Sequence, residues 1–307
     1  MTTTAVSVTG LTKRYGARTA VDHLDIELPS GVVAGFVGPN GAGKTTTMAM
    51  LLGLVRPTAG TGTVLGAPMD APAAYLPHVG ALIESPAFYP ALTGADNLRV
   101  FATVGGQPTA GIPALLETVG LAGRGGDRYR SYSLGMKQRL GIAAALLADP
   151  ELLILDEPAN GLDPQGVREM RSLIGRLAGS GRTVLVSSHD LSELEQVCDW
   201  LVLIDTGRSL YQGPTRQLLD GSSVGLAVVP QHHDDRPVLR QLLVERGHHV
   251  EVRDDRLVVG TDGVTAAEMA ALVNRTAFDA GMVLVELSPL RTTLEDRYLS
   301  MVAGGAR

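Results

Sequence analysis

The chain has 307 residues, of which 45% are hydrophobic and only 4% aromatic, a composition that fits a globular protein with an aliphatic core. Its length suits one large domain plus a smaller one, and its net charge of −6 argues against a general nucleic-acid binder. No apolar run approaches the roughly 20 residues of a spanning helix, and the start Met1-Thr2-Thr3-Thr4 lacks the basic-then-apolar pattern of a signal peptide, so a cytoplasmic location is expected, with any membrane role exercised through a partner. In chain order, Ala5–Val8, the period-two stretch Leu24-Asp25-Ile26-Glu27-Leu28 and Thr63–Leu65 predict a small antiparallel sheet. Val32–Val37 is an aliphatic run that opens into glycines and then into a helical pattern over Lys44–Leu54. Leu152–Leu155 and Val184–Val186 have the solid aliphatic texture of parallel strands buried on both faces, and helical stretches at Pro164–Ala178 and Leu191–Cys198 alternate with them. Helices are predicted at Gly94–Val104, Pro113–Val119 and Leu134–Leu147, with no good strand between Ala87 and Pro150, which marks a helical insertion.

After Gly221 the texture changes. Strand 226–229, helix 237–246, strands 249–252 and 256–259, helix 265–279, strand 282–287 and an amphipathic helix 291–302 follow. The order βαββαβ is that of the split-βαβ, ferredoxin-like arrangement. The expected architecture is therefore an α/β phosphate-loop core with an N-terminal antiparallel β-subdomain and a helical insertion at about 87–150. Together these span 5–222, and a small α+β domain spans 223–307.

Cys198, the single cysteine, excludes an internal disulfide and reads as a packed side chain in a helical stretch. The paired histidines His232-His233 and His248-His249 lack dedicated metal-ligand spacing and read as solvated surface. Lysine occurs only at Lys13, Lys44 and Lys137, against 23 arginines, so a persisting lysine points to chemistry. Lys44 lies in Gly38-Pro39-Asn40-Gly41-Ala42-Gly43-Lys44-Thr45-Thr46, which fits G-x-x-x-x-G-K-[ST] between a strand and a helix. Glycines there let backbone N–H groups converge on phosphate oxygens, and the following helix turns its positive end to the same anion. Lys44 would reach the β- and γ-phosphates of ATP, and the Thr45 hydroxyl would ligate Mg²⁺. Leu152-Leu153-Ile154-Leu155-Asp156-Glu157 is a buried strand ending in acids. Asp156 would hold Mg²⁺, and Glu157 would orient and deprotonate the attacking water.

From residue 5 to about 220 the sequence resembles the ATP-binding cassette proteins. Tyr132-Ser133-Leu134-Gly135-Met136-Lys137-Gln138-Arg139 is similar to their L-S-G-G-Q-type signature, with Leu134 for the first glycine and Met136 for the amide. The resemblance implies a head-to-tail homodimer, or a pair with a second ATPase subunit, in which Ser133 and Gly135 close over the partner's ATP. Asp163, in Gly161-Leu162-Asp163, matches the loop that links the two sites. By the same resemblance Tyr15 would stack on adenine and His189, in Ser187-Ser188-His189-Asp190, would contact the γ-phosphate. Glu84, in Val79-Gly80-Ala81-Leu82-Ile83-Glu84-Ser85-Pro86, stands where most of the family has a Mg²⁺-facing glutamine.

Glu84, the variant signature and the C-terminal extension resemble the branch tied to bacitracin and lantibiotic resistance. The implied function is the ATPase subunit of an exporter for antibiotics or peptides, peripheral on the inner face of the membrane through a separate permease. Two alternatives stay open: a cassette ATPase acting on ribosomes or DNA, and a non-catalytic nucleotide switch.

Overall fold

The computed structural model describes residues 3–84, 87–219, 223–253, 255–261, 263–291 and 293–305. Ser85 and Pro86 of the motif around Glu84, Gly221 and Ser222 at the change of texture, and Met1 and Thr2 lie outside the described residues. The chain divides into two compact units, Met1–Leu218 with Tyr298–Arg307, and Leu219–Arg297. The last ten residues thus group with the larger unit, whereas the sequence pattern assigns the whole of 223–307 to the smaller one.

The larger unit begins with strands β1 (Thr4–Tyr15), β2 (Arg18–Pro29) and β3 (Val33–Val37), then helix α1 (Lys44–Leu51), then β4 (Ala59–Val64), β5 (Ala67–Pro68) and β6 (Val79–Leu82). Helices α2 (Gly94–Val104), α3 (Ile112–Thr118) and α4 (Leu134–Ala145) follow. The chain then alternates through β7 (Leu152–Leu155), α5 (Pro164–Gly179), β8 (Thr183–Ser188), α6 (Leu191–Glu195), β9 (Trp200–Asp205), β10 (Arg208–Pro214) and α7 (Thr215–Leu219).

Two sheets result. The first, in the order β2-β1-β4-β5, is antiparallel. On β2, buried Leu24, Ile26 and Leu28 alternate with exposed Asp25 and Glu27, so the period of two puts one face into the core. The second sheet has the order β10-β9-β3-β8-β7-β6, with all neighbours parallel except the β10–β9 pair. Every residue of β3, β7 and β8 is buried, as expected for parallel strands covered on both faces.

The β6 strand, Val79–Leu82, falls where the sequence pattern marks no strand. Gly80 masks it. A side chain there would stand 2.2 Å from the Ala145 carbonyl oxygen, so helix α4 packs directly on the bare backbone. The α6 helix ends at Glu195, one turn short of the predicted Cys198, because the chain turns at Gln196 to feed β9.

The smaller unit runs β11 (Ser223–Pro230), α8 (Asp235–Glu245), β12 (Val250–Arg253), β13 (Arg256–Val259), α9 (Ala266–Asp279) and β14 (Leu284–Arg291), and a last helix, α10 (Leu294–Gly305), ends the chain. Its sheet has the order β12-β13-β11-β14 and is antiparallel throughout. One core joins Leu226, Val228, Leu257 and Val259 of the sheet to Leu239 and Leu243 of α8 and to Met269 and Val273 of α9. The α9 helix starts in a reciprocal cap, with Thr265 accepting from the Glu268 N–H and Glu268 accepting from the Thr265 N–H. No helix among the described residues is long and apolar enough to cross a membrane.

Cys198 is buried beneath β3, where a Cβ on Gly35 would approach its Sγ to 3.1 Å. Burial first, and the Asp199 charge second, push the thiol far above the ordinary cysteine range, so it stays protonated at neutral and mildly alkaline pH. Native protein at pH 8 is therefore expected to resist an aromatic disulfide reagent, with one thiol titrating only after denaturation. Rapid stoichiometric labelling of the native protein would contradict this packing.

Candidate active site

The site is built on one edge of the parallel sheet. Register aligns the carboxyl ends of four strands: Val37 of β3 is opposite Ser188 of β8, Leu155 of β7 is opposite Val186 of β8, and Leu82 of β6 is opposite Leu155. Loops leaving these ends carry, in order across the sheet, the phosphate loop, His189, the Asp156-Glu157 pair and Glu84. Ligands bind outside the carboxyl ends of strands in such sheets because the loops there converge.

Between β3 and α1 the phosphate loop is wedged tightly. A Cβ on Gly38 would lie 2.4 Å from the Ile204 carbonyl oxygen, and one on Gly43 would lie 2.6 Å from that of Ala20. Gly43, with φ of 104°, is also the N-cap of α1 and offers no side-chain acceptor to the first turn. Helices α2, α4, α5 and α6 fill that need themselves, whereas α3 and α8, like α1, have no side-chain cap. Thr93 accepts from Asp96, Ser133 from Met136, Asp163 from Gly166 and Asp190 from Ser192 and Glu193, each through backbone N–H groups. The first-turn N–H groups of α1 are left to an outside anion, and a phosphate meets that demand.

Lys44 is only 6% exposed, and its Nζ donates to the Gly38 carbonyl at 2.6 Å. The same Nζ is 3.2 Å from Glu157 Oε1, while Glu157 Oε2 is 2.8 Å from His189 Nδ1. Glu157 thus bridges the loop lysine and the histidine. It does so from a left-handed backbone, φ 48°, a conformation that costs a side-chain-bearing residue about 1 kcal/mol or more. Asp156, also 6% exposed, accepts from the Thr45 hydroxyl at 2.7 Å and from the Ser187 hydroxyl at 2.5 Å. Ser187 in turn accepts from the Glu157 N–H at 2.8 Å. Ser187 is a site residue that the motifs alone do not mark. Its signal is a small hydroxyl near the end of a buried strand, two residues before His189.

Pro39, Asn40, Gly41, Gly43, Lys44, Thr45 and Thr46 line the same cleft as Glu157 and His189; Ala42 is buried beneath it. Tyr15 is half exposed at the end of β1, with Lys13 Nζ 5.0 Å from its ring centroid. Lys13 Nζ also donates to the Arg56 carbonyl at 2.8 Å. Glu84 is exposed two residues beyond β6, with φ of 57°, and its carboxylate makes no ion pair or hydrogen bond among the described residues. Ser133, Gly135 and Asp163 come together elsewhere, in a second cleft between the start of α4 and the loop before α5. There Gly161 meets Leu134 and Gly135 meets Leu162, at 3.1 and 3.7 Å from the respective Cβ positions. Arg139 of the same segment pairs with Glu169 of α5. None of these residues lines the phosphate-loop cleft.

Comparison with known proteins agrees with this geometry. The ABC transporter family model matches residues 21–160. The bacitracin transport ATP-binding protein BcrA of Bacillus licheniformis is 37% identical, over 98% of this chain and 98% of its own. The lantibiotic transport ATP-binding protein SrtF of Streptococcus pyogenes is 40% identical, over 67% of this chain and 90% of its own. A solved ATP-binding subunit of an ABC transporter, 30% identical, superposes with a TM-score of 0.62 over 70% of this chain and 91% of its own. A phosphate loop facing a buried aspartate, a half-buried glutamate and a histidine, with a signature cleft apart from it, is thus carried by a chain that belongs to the ATP-binding cassette (ABC) transporter family.

Proposed function

We propose that the chain is the ATP-hydrolysing subunit of an exporter, driving a separate membrane-spanning permease whose cargo is a peptide antibiotic or a compound of similar chemistry. The observation that carries the ATPase reading is Glu157, held between Lys44 and His189 at the mouth of the phosphate loop. The export reading rests on the likeness, end to end, to a bacitracin transport ATP-binding protein.

In this reading the α1 N-terminus and Lys44 hold the phosphates of ATP, and Tyr15 takes the adenine on its exposed ring. Glu157 removes a proton from water, the new oxygen–phosphorus bond forms at the γ-phosphate, and the bond to ADP breaks. His189 holds the second oxygen of Glu157, fixing the angle at which the first meets the water. The Thr45 hydroxyl and Asp156 carboxylate are adjacent hard oxygen donors that suit Mg²⁺, which when bound neutralises phosphate charge. Ser133, Gly135 and Asp163, lying apart from the phosphate loop of their own chain, serve the ATP of a second copy in a head-to-tail dimer, or that of a paired ATPase subunit. Glu84, on the loop after β6 at the same sheet edge, would bring a further oxygen donor and a negative charge to bound Mg²⁺, so that turnover would depend on how closely the site shuts. Through the permease the protein lies on the inner face of the membrane.

Glu157→Gln is expected to keep ATP bound while lowering turnover about 10²-fold or more, the usual size of a general-base contribution. Turnover equal to the parent's would remove Glu157 from that role. Glu84→Gln is expected to change the ATPase rate or its coupling to transport. If both match the parent in reconstituted vesicles, the carboxylate has no special part. The export reading is tested by gentle solubilisation of membranes from the native host and identification of what copurifies with the tagged Glu157→Gln variant in ATP. A polytopic membrane protein in near-equal amount is the expected result. Recovery of ribosomes, DNA or other non-membrane partners alone would overturn export and make the protein a cytosolic remodeller.

A further inference from the structure

One cation of the phosphate-loop cleft belongs to none of its motifs. Arg18 is the first residue of β2 and lines the cleft together with Lys44, Thr45 and Glu157. Its Nη2 lies 3.7 Å from where a Cβ on Gly41 would stand, so the guanidinium reaches over the crown of the loop. Among the described residues no carboxylate pairs with it. The neighbouring acid on β2, Asp22, is taken by Arg208 at 2.7 and 2.9 Å and by His23 at 2.7 Å. An arginine with five donors and no protein acceptor, held over a glycine loop, is arranged for an anion.

The charge balance of the cleft points the same way. At its phosphate end Lys44 faces Glu157 at 3.2 Å, and Asp156 is bonded to Thr45. Without Arg18 the charged groups there are one cation and two carboxylates, a poor reception for a nucleoside triphosphate. Arg18 restores the balance.

Its placement also joins the two ends of the ligand. Arg18 is paired directly across the β1–β2 hairpin from Tyr15, over the turn Gly16-Ala17. Tyr15 is steadied by Lys13, which is itself anchored on the Arg56 carbonyl. One hairpin therefore presents an aromatic ring and, beside it, a guanidinium turned back to the loop. We propose that Arg18 is a polyphosphate-binding residue of this site, so that the β1–β2 hairpin grips ATP at both base and phosphate.

This proposal rests on the ATPase reading, and the test separates the two. In the Glu157→Gln background, which removes hydrolysis, ATP affinity is measured by calorimetry for the parent, Arg18→Ala, Arg18→Lys and Lys44→Ala, with melting temperatures recorded for each. Arg18→Ala is expected to weaken ATP about tenfold, the size of one charge-assisted hydrogen bond. Arg18→Lys should recover part of that loss. Because Arg18 is exposed and unpaired, the ligand-free melting temperature should not move. ATP affinity of Arg18→Ala within twofold of the parent would overturn the proposal and leave the ATPase reading intact. So would a loss shared equally by Arg18→Ala and Arg18→Lys with a lowered melting temperature, since that is a structural role. A parent that binds ATP no better than Lys44→Ala would overturn the ATPase reading, and Arg18 with it.

Discussion

Asp156 sits almost fully out of water, and both of its carboxylate oxygens are occupied, one by the Thr45 hydroxyl and one by the Ser187 hydroxyl. A buried carboxylate without such partners would be costly, so the three residues stand or fall together. Thr45 belongs to the first turn of α1, Asp156 follows β7 and Ser187 lies near the end of β8. One anion therefore ties β7 to α1 across 111 residues of sequence and to β8 across 31. Ser187 extends the tie to the Glu157 backbone, which then carries its side chain to Lys44 and His189. Loosening any one member would shift Glu157 as well as Asp156.

Helix starts in this chain differ in what supplies the missing acceptor. At α2 and α6 a side chain of the helix's own cap does so, Thr93 and Asp190 respectively. Where a helix opens on the phosphate loop, Gly43 withholds it. The signature helix α4 is intermediate. Ser133 caps it at 3.3 Å, a long contact for a hydrogen bond of this kind. Leu134, largely exposed, fills space beside Gly161 that the glycine of the usual signature would leave open. The variant signature thus narrows its cleft from the side of its own chain.

The left-handed backbone at Glu84 and Glu157 belongs to the same logic. Both residues follow neighbouring parallel strands, β6 and β7, and both turn sharply at the sheet edge with φ near 50°. A strand run continued through these positions would send the side chains alternately up and down the sheet. The turn instead lets each loop present its acid on the edge where the phosphate loop lies.

Much of this protein was legible in the residues alone, for reasons of period and chemistry. Solid aliphatic runs announced β3, β7 and β8, alternation announced β2, and the phosphate loop identified itself because few other functions need so many glycines ahead of a lysine. Helix α2 was read to the residue, since Thr93 and Asp96 cap its start and a glycine ends it. What remained hidden depends on neighbours. The β6 strand is invisible because Gly80 takes its place from the helix packed upon it, not from its own preference. Ser187 gains its role only when β8 lies beside β7, and Arg18 gains its own only when the hairpin folds back over the loop. Sequence determined which motifs the chain carries, because each motif is a local pattern. Register and strand order decided which of them meet, because hydrogen bonds between distant segments exist only once the sheet has closed around them.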